Sequence, residues 1–256
     1  MKIAIVTGAS SGLGRELAEY LGNNERLDEI WVIARREERL KELKSTIKIK
    51  VVPLELDLCN DNDVEIYRRK LADEAPEVRV LVNAAGCGRF GTVDTHKNSE
   101  QLHMIDLNVR ALTEITMITA KYMERGSCIY QFSSLSAFLP LPYMSVYAAT
   151  KAYVLSFSRS LNVELKPRGI RVMAVCPSWV RTEFIDRAED ENGALAYYDH
   201  IYEPRDVIKR AVRDMKKGKD VSVYGAKPKI LSLASRLVSH RYAMKKWCKL
   251  QKKHKR

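Results

Sequence analysis

The sequence has few of the features that define several common protein classes. It contains five cysteines in 256 residues, an odd number at scattered positions, and they lack the CxxC or CxxH spacing of a metal site. A disulfide framework and a metal site are therefore not expected, and the thiols are predicted to be reduced in a cytoplasmic protein. No run of eighteen apolar residues is present, and residues 2–6 lead directly into a glycine-rich turn, so neither a membrane span nor a signal peptide is expected.

Acidic residues are missing from the end of the chain. Lys and Arg total 44 against 32 acids, a formal net charge of +12, yet the eleven bases after Asp220 are accompanied by no acid. Without those eleven, 33 bases face 32 acids, so the body is nearly neutral and the excess belongs to the tail. The tail has no zinc-finger or helix-turn-helix signature, and nucleic acid is not expected as a partner.

Short β-branched runs alternate with segments whose apolar residues recur every three or four positions. The runs are residues 3–7, 30–34, 50–54, 79–83, 128–133, 170–176 and 221–224. Nearly continuous apolar strands separated by amphipathic helices predict an α/β fold with a single doubly wound parallel sheet and helices on both faces. Two long central helices are predicted at 108–125 and 145–166, and the aperiodic, aromatic-rich segment 178–203 is predicted to be a loop or lid.

A glycine-rich turn joins the first predicted strand to the first predicted helix. Its glycines are Gly8, Gly12 and Gly14, and Arg15 and Glu16 follow where a P-loop would require Lys and Ser or Thr. Glycines at this junction let the backbone approach a pyrophosphate, whose charge meets the free N–H groups of the helix. A tight turn without a ligand is the alternative, but the position of the turn favours a dinucleotide cofactor.

The end of the second strand bears on the choice of cofactor. A NAD site usually places an acid there, whereas this sequence has Ala34, Arg35 and Arg36. Because guanidinium groups suit a 2′-phosphate, NADP(H) is predicted to be preferred, mainly through Arg35, with NAD(H) as the second choice. The alternative is that both arginines merely form the solvated start of a helix at 37–44.

A second cluster combines an acid–base candidate with hydroxyl groups. Tyr147 and Lys151 are four residues apart on a predicted helix, so the cation can stabilise the phenolate and lower the pKa of the tyrosine. Ser133 and Ser134 follow the fifth strand, where hydroxyls of an open sheet face its binding crevice. The tyrosine–lysine pair alone could be an exposed helix face, and the two serines alone could be an ordinary strand end. Together they favour a reaction site.

With these motifs in this order, the chain resembles a short-chain dehydrogenase/reductase of the single-domain type, a Rossmann fold, over about residues 2–225. Asp57 matches the family residue that contacts the adenine, and Asn108 matches the asparagine that heads a later helix. The resemblance rests on the following residues: Gly8, Gly12, Gly14, Asp57, Asn83, Ala84, Ala85, Gly86, Asn108, Ser134, Tyr147 and Lys151.

The resemblance implies a catalytic set of four residues. Tyr147 protonates the carbonyl oxygen as the nicotinamide delivers a hydride, and Ser134 hydrogen-bonds the same oxygen. Lys151 binds the nicotinamide ribose and lowers the pKa of Tyr147, while Asn108 holds a water that links Lys151 to solvent. Ser178 departs from the family, which usually has glycine there. The implied cofactor contacts are Gly8, Ser10, Ser11, Gly12, Leu13, Gly14, Arg35, Arg36, Asp57, Leu58, Asn83, Ala84, Ala85, Gly86, Tyr147, Lys151, Pro177, Val180 and Thr182.

The predicted substrate wall is rich in aromatic and aliphatic side chains. Substrate contacts are predicted at Ser134, Leu141, Tyr143, Tyr147 and Trp179, which suits a hydrophobic carbonyl compound or alcohol. Steroids, acyl chains, retinoids and aromatic ketones all remain open, and each of these residues could instead only pack the lid. Further predicted lining residues are Phe90, Phe138, Leu139, Met144, Phe184, Tyr197, Tyr198 and Tyr202.

Two function classes besides an active reductase are compatible with this reading. One is a non-catalytic NADP(H)-binding regulatory protein, against which the complete catalytic set argues, and the other is a surface-associated binding module that uses the basic tail. The two long helices resemble those that pair across two-fold axes in the family, so a homodimer or homotetramer is expected. Residues 1–225 are predicted to be the catalytic domain and 226–256 a helical extension.

The extension keeps helical apolar spacing from Pro228 through Leu250, and the charged residues between the apolar positions are all bases. A cationic helix of this kind is typical of a segment that lies on an anionic membrane, which would place the protein peripherally on the inner membrane surface. The competing interpretation, slightly favoured, is a helix that packs on the substrate lid or on a neighbouring subunit with its charges solvated. An acidic partner molecule is the third.

Overall fold

The computed structural model describes residues 1–188, 195 and 198–254. Seven strands form one sheet in the order β3-β2-β1-β4-β5-β6-β7, and every adjacent pair is parallel. The strands are β1 (Lys2–Thr7), β2 (Glu29–Ala34), β3 (Lys50–Glu55), β4 (Glu77–Asn83), β5 (Cys128–Phe132), β6 (Arg171–Val175) and β7 (Val221–Ser222).

The strand order reverses direction between β1 and β4, because the chain first builds outward to β3 and then returns to the other side of β1. In an open parallel sheet, such a reversal leaves a crevice outside the carboxyl ends of the strands. The segments that follow β1, β4 and β5 therefore face the same crevice, which confirms the predicted doubly wound parallel sheet.

Helices cover both faces of the sheet. One face packs against α1, α2 and α8, and the opposite face packs against α3, α5 and α6. The α-helices are α1 (Gly12–Asn24), α2 (Glu37–Lys41), α3 (Asp61–Glu74), α4 (Asn98–Ile105), α5 (Leu112–Thr119), α6 (Ser145–Leu165), α7 (Glu183–Ala188), α8 (Pro204–Lys216), α9 (Ala226–Ala234) and α10 (His240–His254).

Successive side chains of β1 pack alternately against the two helix layers. Ile3 and Ile5 pack with the α3, α5 and α6 layer, whereas Ala4 and Val6 pack with the opposite layer, and all four are fully buried. A strand covered on both sides has no polar face to present to water. This explains why the strands read as continuous apolar runs in the sequence.

The first long helix begins ten residues earlier than predicted. Helical structure starts at Asn98 and passes through a π-helical segment, Asp106–Ala111, before α5. Leu102 and Ile105 are exposed, so α4 does not show the buried apolar stripe by which the sequence pattern identifies a helix.

Other boundaries differ by smaller amounts. The segment 178–203, predicted as a loop, contains the short helix α7, and Val180 pairs with Tyr202 in an isolated β-bridge. The helix predicted at 37–44 is α2 followed by a 3₁₀ turn, Glu42–Ser45. The last strand ends at Ser222 instead of residue 224.

The C-terminal extension forms two helices, where its apolar spacing predicted a single one. Between α9 and α10, Ser239 accepts a hydrogen bond at 3.3 Å from the backbone N–H of Tyr242, as an N-terminal capping residue does. Among the residues that the structure describes, no helix combines the length and the apolar character needed to cross a bilayer.

Candidate active site

The glycine-rich turn after β1 is too tightly packed for larger residues. A Cβ atom on Gly14 would lie 2.4 Å from the carbonyl oxygen of Gly8, and one on Gly8 would lie 2.6 Å from the backbone nitrogen of Ala85. Gly8 also has a φ of +68°, which favours glycine. The turn thus brings bare backbone to the start of α1.

The first turn of α1 is available to an anion. Ser11 is the N-cap residue, yet its side chain makes no capping hydrogen bond and the first turn carries no acidic residue. The N–H groups at a helix N-terminus attract a pyrophosphate through their partial positive charge. The residues present therefore fit the phosphates of a dinucleotide cofactor.

Arg36 lies directly beside this turn. Its Nη2 atom donates hydrogen bonds to the hydroxyls of Ser10 and Ser11, both at 3.0 Å, and its Nη1 atom pairs with Glu183 of α7 at 2.9 Å. Arg35 is more exposed, at 62% of its side chain, and lies 3.7 Å from Asp57. Both arginines border the cavity, but Arg36 has the more fixed position.

The segment after β4 forms the next part of the cavity wall. Thr7 Oγ1 accepts hydrogen bonds from the backbone N–H groups of Ala84 and Ala85, both at 3.2 Å, which ties this segment to β1. Asn83, predicted to contact the cofactor, points into the core instead. Its amide donates to Thr116 and Gln131, and it is not among the lining residues.

Tyr147 and Lys151 lie on one face of α6 and are buried. Lys151 Nζ lies 5.7 Å from the centre of the Tyr147 ring and donates a hydrogen bond at 3.0 Å to the carbonyl oxygen of Phe132. Ser133 Oγ donates to the carbonyl oxygen of Lys151 at 2.7 Å, which holds α6 against the end of β5. Ser134 therefore comes next to the tyrosine, on the same wall.

Burial controls the ionisation of this group. It raises the pKa of Tyr147 above its usual value, and the hydrogen bond with Ser134 lowers it by a smaller amount. Burial lowers the pKa of Lys151 to about 8. The sequence predicted that Lys151 lowers the pKa of Tyr147, whereas in this structure desolvation raises that pKa and the opposing contribution comes from the hydrogen bond with Ser134.

Asn108 lies below the cavity floor in the π-helical segment. Its side chain accepts a hydrogen bond from the backbone N–H of Cys87 at 3.0 Å and donates to the Cys87 carbonyl at 2.9 Å and to Thr150 at 3.1 Å. A Cβ atom on Gly86 would lie 3.0 Å from Asn108 Oδ1 and 3.3 Å from Lys151 Nζ. Glycine at this position thus lets the amide and the ammonium group approach one stretch of backbone.

One cavity of about 1430 Å³ connects these elements. It runs from the glycine-rich turn past Tyr147 to the C-terminal helices, and Asn83, Asn108 and Tyr143 are the predicted site residues that do not line it. The predicted residues that do line it are Gly8, Ser10, Ser11, Gly12, Leu13, Gly14, Arg35, Arg36, Asp57, Leu58, Ala84, Ala85, Gly86, Ser134, Leu141, Tyr147, Lys151, Pro177, Trp179, Val180 and Thr182.

Aromatic rings surround the Tyr147 end of the cavity. Phe90 lies 6.0 Å from the Tyr147 ring and 5.9 Å from that of Trp179, and Phe184 lies 5.5 Å from Tyr147. The predicted lining residues Tyr198 and Tyr202 are not among those that border the cavity, and Tyr197 lies outside the described residues. Phe138, Leu139 and Met144 do border it.

The C-terminal helices form the far end of the cavity. Trp247 of α10 donates a hydrogen bond at 2.9 Å to the carbonyl oxygen of Pro142 and packs against the apolar cluster that includes Tyr147. Leu231 and Leu250 border the same space. Sequence reasoning assigned the apolar face of α10 to a membrane or to packing on the lid, and the structure places it against the cavity.

One contributor could not be predicted from the sequence. Glu183 pairs with Arg36 across a separation of 147 residues, which no local pattern could indicate. Ser136, in the predicted lining segment that also contains Phe138, borders the cavity, and its buried Oγ atom has no hydrogen-bond partner among the described residues.

The sequence model of the short chain dehydrogenase family matches residues 2–193. An uncharacterised short-chain type dehydrogenase/reductase of Sinorhizobium fredii is 33% identical over 73% of this chain, which spans only 34% of that longer protein. The 15-hydroxyprostaglandin dehydrogenase [NAD(+)] of Macaca fascicularis is 30% identical over 81% of this chain and 79% of its own length.

Solved structures agree with this relationship. A short-chain dehydrogenase from Sphingobium yanoikuyae in complex with NADPH is 28% identical, covers 92% of this chain and 94% of its own, and superposes with a TM-score of 0.78. Fold, sequence match and the position of the crevice thus agree over most of the chain. The chain belongs to the short-chain dehydrogenase/reductase family of oxidoreductases.

Proposed function

We propose that this protein is an NADP(H)-dependent oxidoreductase acting on the carbonyl group or secondary alcohol of a hydrophobic substrate. The observation that carries the proposal is the meeting of Tyr147, Ser134 and Lys151 on one wall of the cavity that also contains the glycine-rich turn. An acid–base pair beside a nucleotide-sized crevice is the arrangement that reversible carbonyl reduction requires.

When bound, the nicotinamide supplies a hydride to the substrate carbon or accepts one from it. Tyr147 donates its hydroxyl proton to the carbonyl oxygen during reduction and takes the proton back during oxidation. Ser134 donates a hydrogen bond to the same oxygen and stabilises its developing negative charge, an effect that is stronger at a buried site than in water. These two hydroxyls form a hydrogen bond with each other.

Lys151 and Asn108 support the proton transfer. The ammonium group of Lys151 binds the ribose hydroxyls and, once its charge faces the phenolate, favours the ionised form of Tyr147. Its pKa of about 8 keeps it mostly protonated at neutral pH. Asn108 is proposed to hold a water between Lys151 and solvent, because its Oδ1 atom and Lys151 Nζ both lie close to Gly86.

The preference for NADP(H) rests on the two arginines after β2. The macaque relative is named for NAD(+) and the Sphingobium structure contains NADPH, so the preference has to come from residues of this chain. Arg36, held by two serine hydroxyls of the glycine-rich turn, offers a guanidinium group at the phosphate end of the cavity, and Arg35 adds a second positive charge.

The substrate is proposed to be a steroid, acyl or aromatic type of ketone or alcohol. Phe90, Trp179 and Phe184 surround the reacting tyrosine, and the cavity continues between aliphatic residues to α9 and α10. Such a lining binds a large apolar body and orients it through few polar groups. The macaque relative is named for a hydroxyprostaglandin, which is compatible with this class.

We also propose that the protein is a cytoplasmic homodimer or homotetramer. Met117 on α5 and Val163 on α6 are large apolar side chains that remain 64% and 70% exposed on the two long helices. Association through these helices would remove them from water. Light scattering at micromolar concentration that reports a monomer would contradict this part of the proposal.

The test of the activity is a screen of hydrophobic ketones and alcohols that follows NADPH absorbance, repeated with Tyr147→Phe. We expect a loss of at least about 10²-fold in kcat with unchanged NADPH affinity, because the variant loses only the ionisable hydroxyl. Tyr153→Phe is the matched control, since Tyr153 is on the same helix and its hydroxyl contacts Thr113 outside the cavity. NADPH binding without turnover of any compound would instead favour the regulatory alternative.

A further inference from the structure

The outer side of α9 and the turn after it carries exposed apolar residues. Ile230, Leu233 and Leu237 are 65%, 62% and 91% exposed. They follow one another at helical spacing, three and four residues apart, on the side away from the protein body. Single exposed leucines are ordinary, but a group of three on one short segment indicates a surface that contacts something apolar.

The segment that carries this group has positive charges and no acidic residue of its own. Residues 226–252 contain eight bases and no acid, and Lys227 is the single one of these bases that forms an ion pair, with Asp199, within the part of the chain that the structure describes. The remaining bases are Lys229, Arg236, Arg241, Lys245, Lys246, Lys249 and Lys252. We call Ile230, Leu233, Leu237 and these seven bases the C-terminal face.

The apolar side of α10 does not belong to this face. Trp247 and Leu250 border the cavity, and Gln251 is buried at 2% exposure, so α10 turns its apolar side to the protein and its lysines to solvent. The extension 226–256 therefore has features of both the packed helix and the membrane-surface helix that its sequence suggested. It packs on the substrate crevice through α10 and still exposes an apolar and basic surface through α9 and the lysines of α10.

One end of the substrate cavity lies beside the same face. Leu231 and Tyr242 border the cavity and are 45% and 60% exposed, so they lie at its rim, and Lys246 of the C-terminal face borders the cavity as well. A molecule that leaves a surface covering this face would therefore reach the cavity at this rim without crossing bulk water.

We propose that the C-terminal face docks on an anionic lipid bilayer, and that the hydrophobic substrate enters the cavity from the lipid phase. Exposed leucines would enter the headgroup region while the bases contact lipid phosphates. A second copy of this chain would bring its own bases against these, and a nucleic acid would leave the leucines without a partner. Entry of the substrate from the lipid phase rests on the proposed function, whereas docking itself does not.

The experiment measures co-sedimentation of the full chain with vesicles of phosphatidylcholine and phosphatidylglycerol, and with vesicles of phosphatidylcholine alone. We expect binding to the anionic vesicles that high salt weakens. Lys245→Gln with Lys249→Gln should lower the partition coefficient roughly 30-fold, from about 1 kcal/mol per base and about 1.4 kcal/mol per tenfold change. Leu233→Ser with Leu237→Ser should lower it at least about tenfold.

Matched variants on other faces separate docking from general charge and hydrophobicity. Lys48→Gln with Lys121→Gln removes two exposed charges elsewhere, and Ile66→Ser removes an apolar side chain of 54% exposure on α3. Both should bind like the unchanged protein. Equal losses from these controls, or no binding to anionic vesicles at low salt, would overturn the proposal.

Two further readouts separate the competing outcomes. If Leu233→Ser with Leu237→Ser reduces the particle mass in light scattering while vesicle binding is absent, the face is a contact between copies of the chain and the proposal is wrong. With a ketone dissolved in the vesicles, the docking variants should lose turnover in proportion to binding, whereas turnover of a water-soluble ketone should stay unchanged. Loss of both activities in the docking variants would mean that they disturb the cavity itself, which would overturn entry from the lipid phase and leave the docking result intact. Absence of turnover by the unchanged protein would count against the proposed function.

Discussion

Replacing Arg36 by alanine tests how the protein would distinguish NADPH from NADH. The guanidinium group of Arg36 is held by hydrogen bonds to Ser10 and Ser11 and by the ion pair with Glu183, so its position is set before any ligand binds. A charge-assisted contact from such a group to a 2′-phosphate contributes on the order of 1.5 to 3 kcal/mol. The Kd for NADPH should therefore rise roughly 10- to 150-fold in Arg36→Ala.

The Kd for NADH should change little in the same variant, because NADH has no phosphate at that position. Both constants can be measured by fluorescence titration of the reduced cofactor, without any knowledge of the substrate. Arg35→Ala gives the comparison within the site. Its side chain is 62% exposed and its partner Asp57 lies at 3.7 Å, so solvent screens its charge and we expect a smaller effect.

The sequence pattern predicted the larger share of the preference for Arg35, whereas the hydrogen bonds to Ser10 and Ser11 give Arg36 the more fixed position. Arg39→Ala is an exposed control on α2, and it should leave both constants unchanged. Equal Kd values for NADPH and NADH in the unchanged protein would refute the reasoning, and so would an Arg36→Ala variant that weakens both cofactors by the same factor.

Three further predictions concern the floor, the turn and the far wall of the cavity. Burial lowers the pKa of Lys151 from 10.5 to about 8, so between these two pH values the unfolded chain binds more protons than the folded protein. The free energy of unfolding, measured by chemical denaturation, should therefore rise with pH over this range in the unchanged protein relative to Lys151→Met. Gly14→Ala should lower NADPH affinity at least about tenfold, because its Cβ would meet the Gly8 carbonyl oxygen at 2.4 Å, whereas Gly22→Ala meets only the side chain of Ile47 and should keep it. Trp247→Ala should raise KM for large hydrophobic substrates. Trp247→Phe keeps an aromatic ring in the same place and loses the hydrogen bond to Pro142, so it should lower the free energy of unfolding by only about 1 kcal/mol.

The sheet and the residues around Tyr147 were predictable because each depends on local sequence. The buried strands alternate with helices along the chain, and the glycine-rich turn, Ser134, Tyr147 and Lys151 all lie at ends or faces of such elements. Parallel strands of an open sheet bring their carboxyl ends to one edge. The sequence order therefore predicts which segments share the crevice.

Other features depend on packing that no local pattern records. The start of α4 was missed because its apolar residues Leu102 and Ile105 point to solvent, and the π-helical segment changes the helical period just before α5. Asn83 was predicted to contact the cofactor because of its position in a motif, yet its amide donates hydrogen bonds to Thr116 and Gln131 in the core. The apolar spacing continues across the break between α9 and α10, so the sequence pattern did not indicate it. In the structure Ser239 caps the start of α10 at this break.

The separation of charge described for the chain also gives the molecule a large electric dipole. Its positive end lies where α9 and α10 meet the cavity, which Lys227 and Lys246 border, while the nearly neutral body extends away from it. Field lines concentrated in such a cleft speed the encounter with anions and leave neutral molecules unaffected. The association rate of NADPH should consequently fall as ionic strength rises, whereas a neutral ketone should bind at a rate that salt does not change.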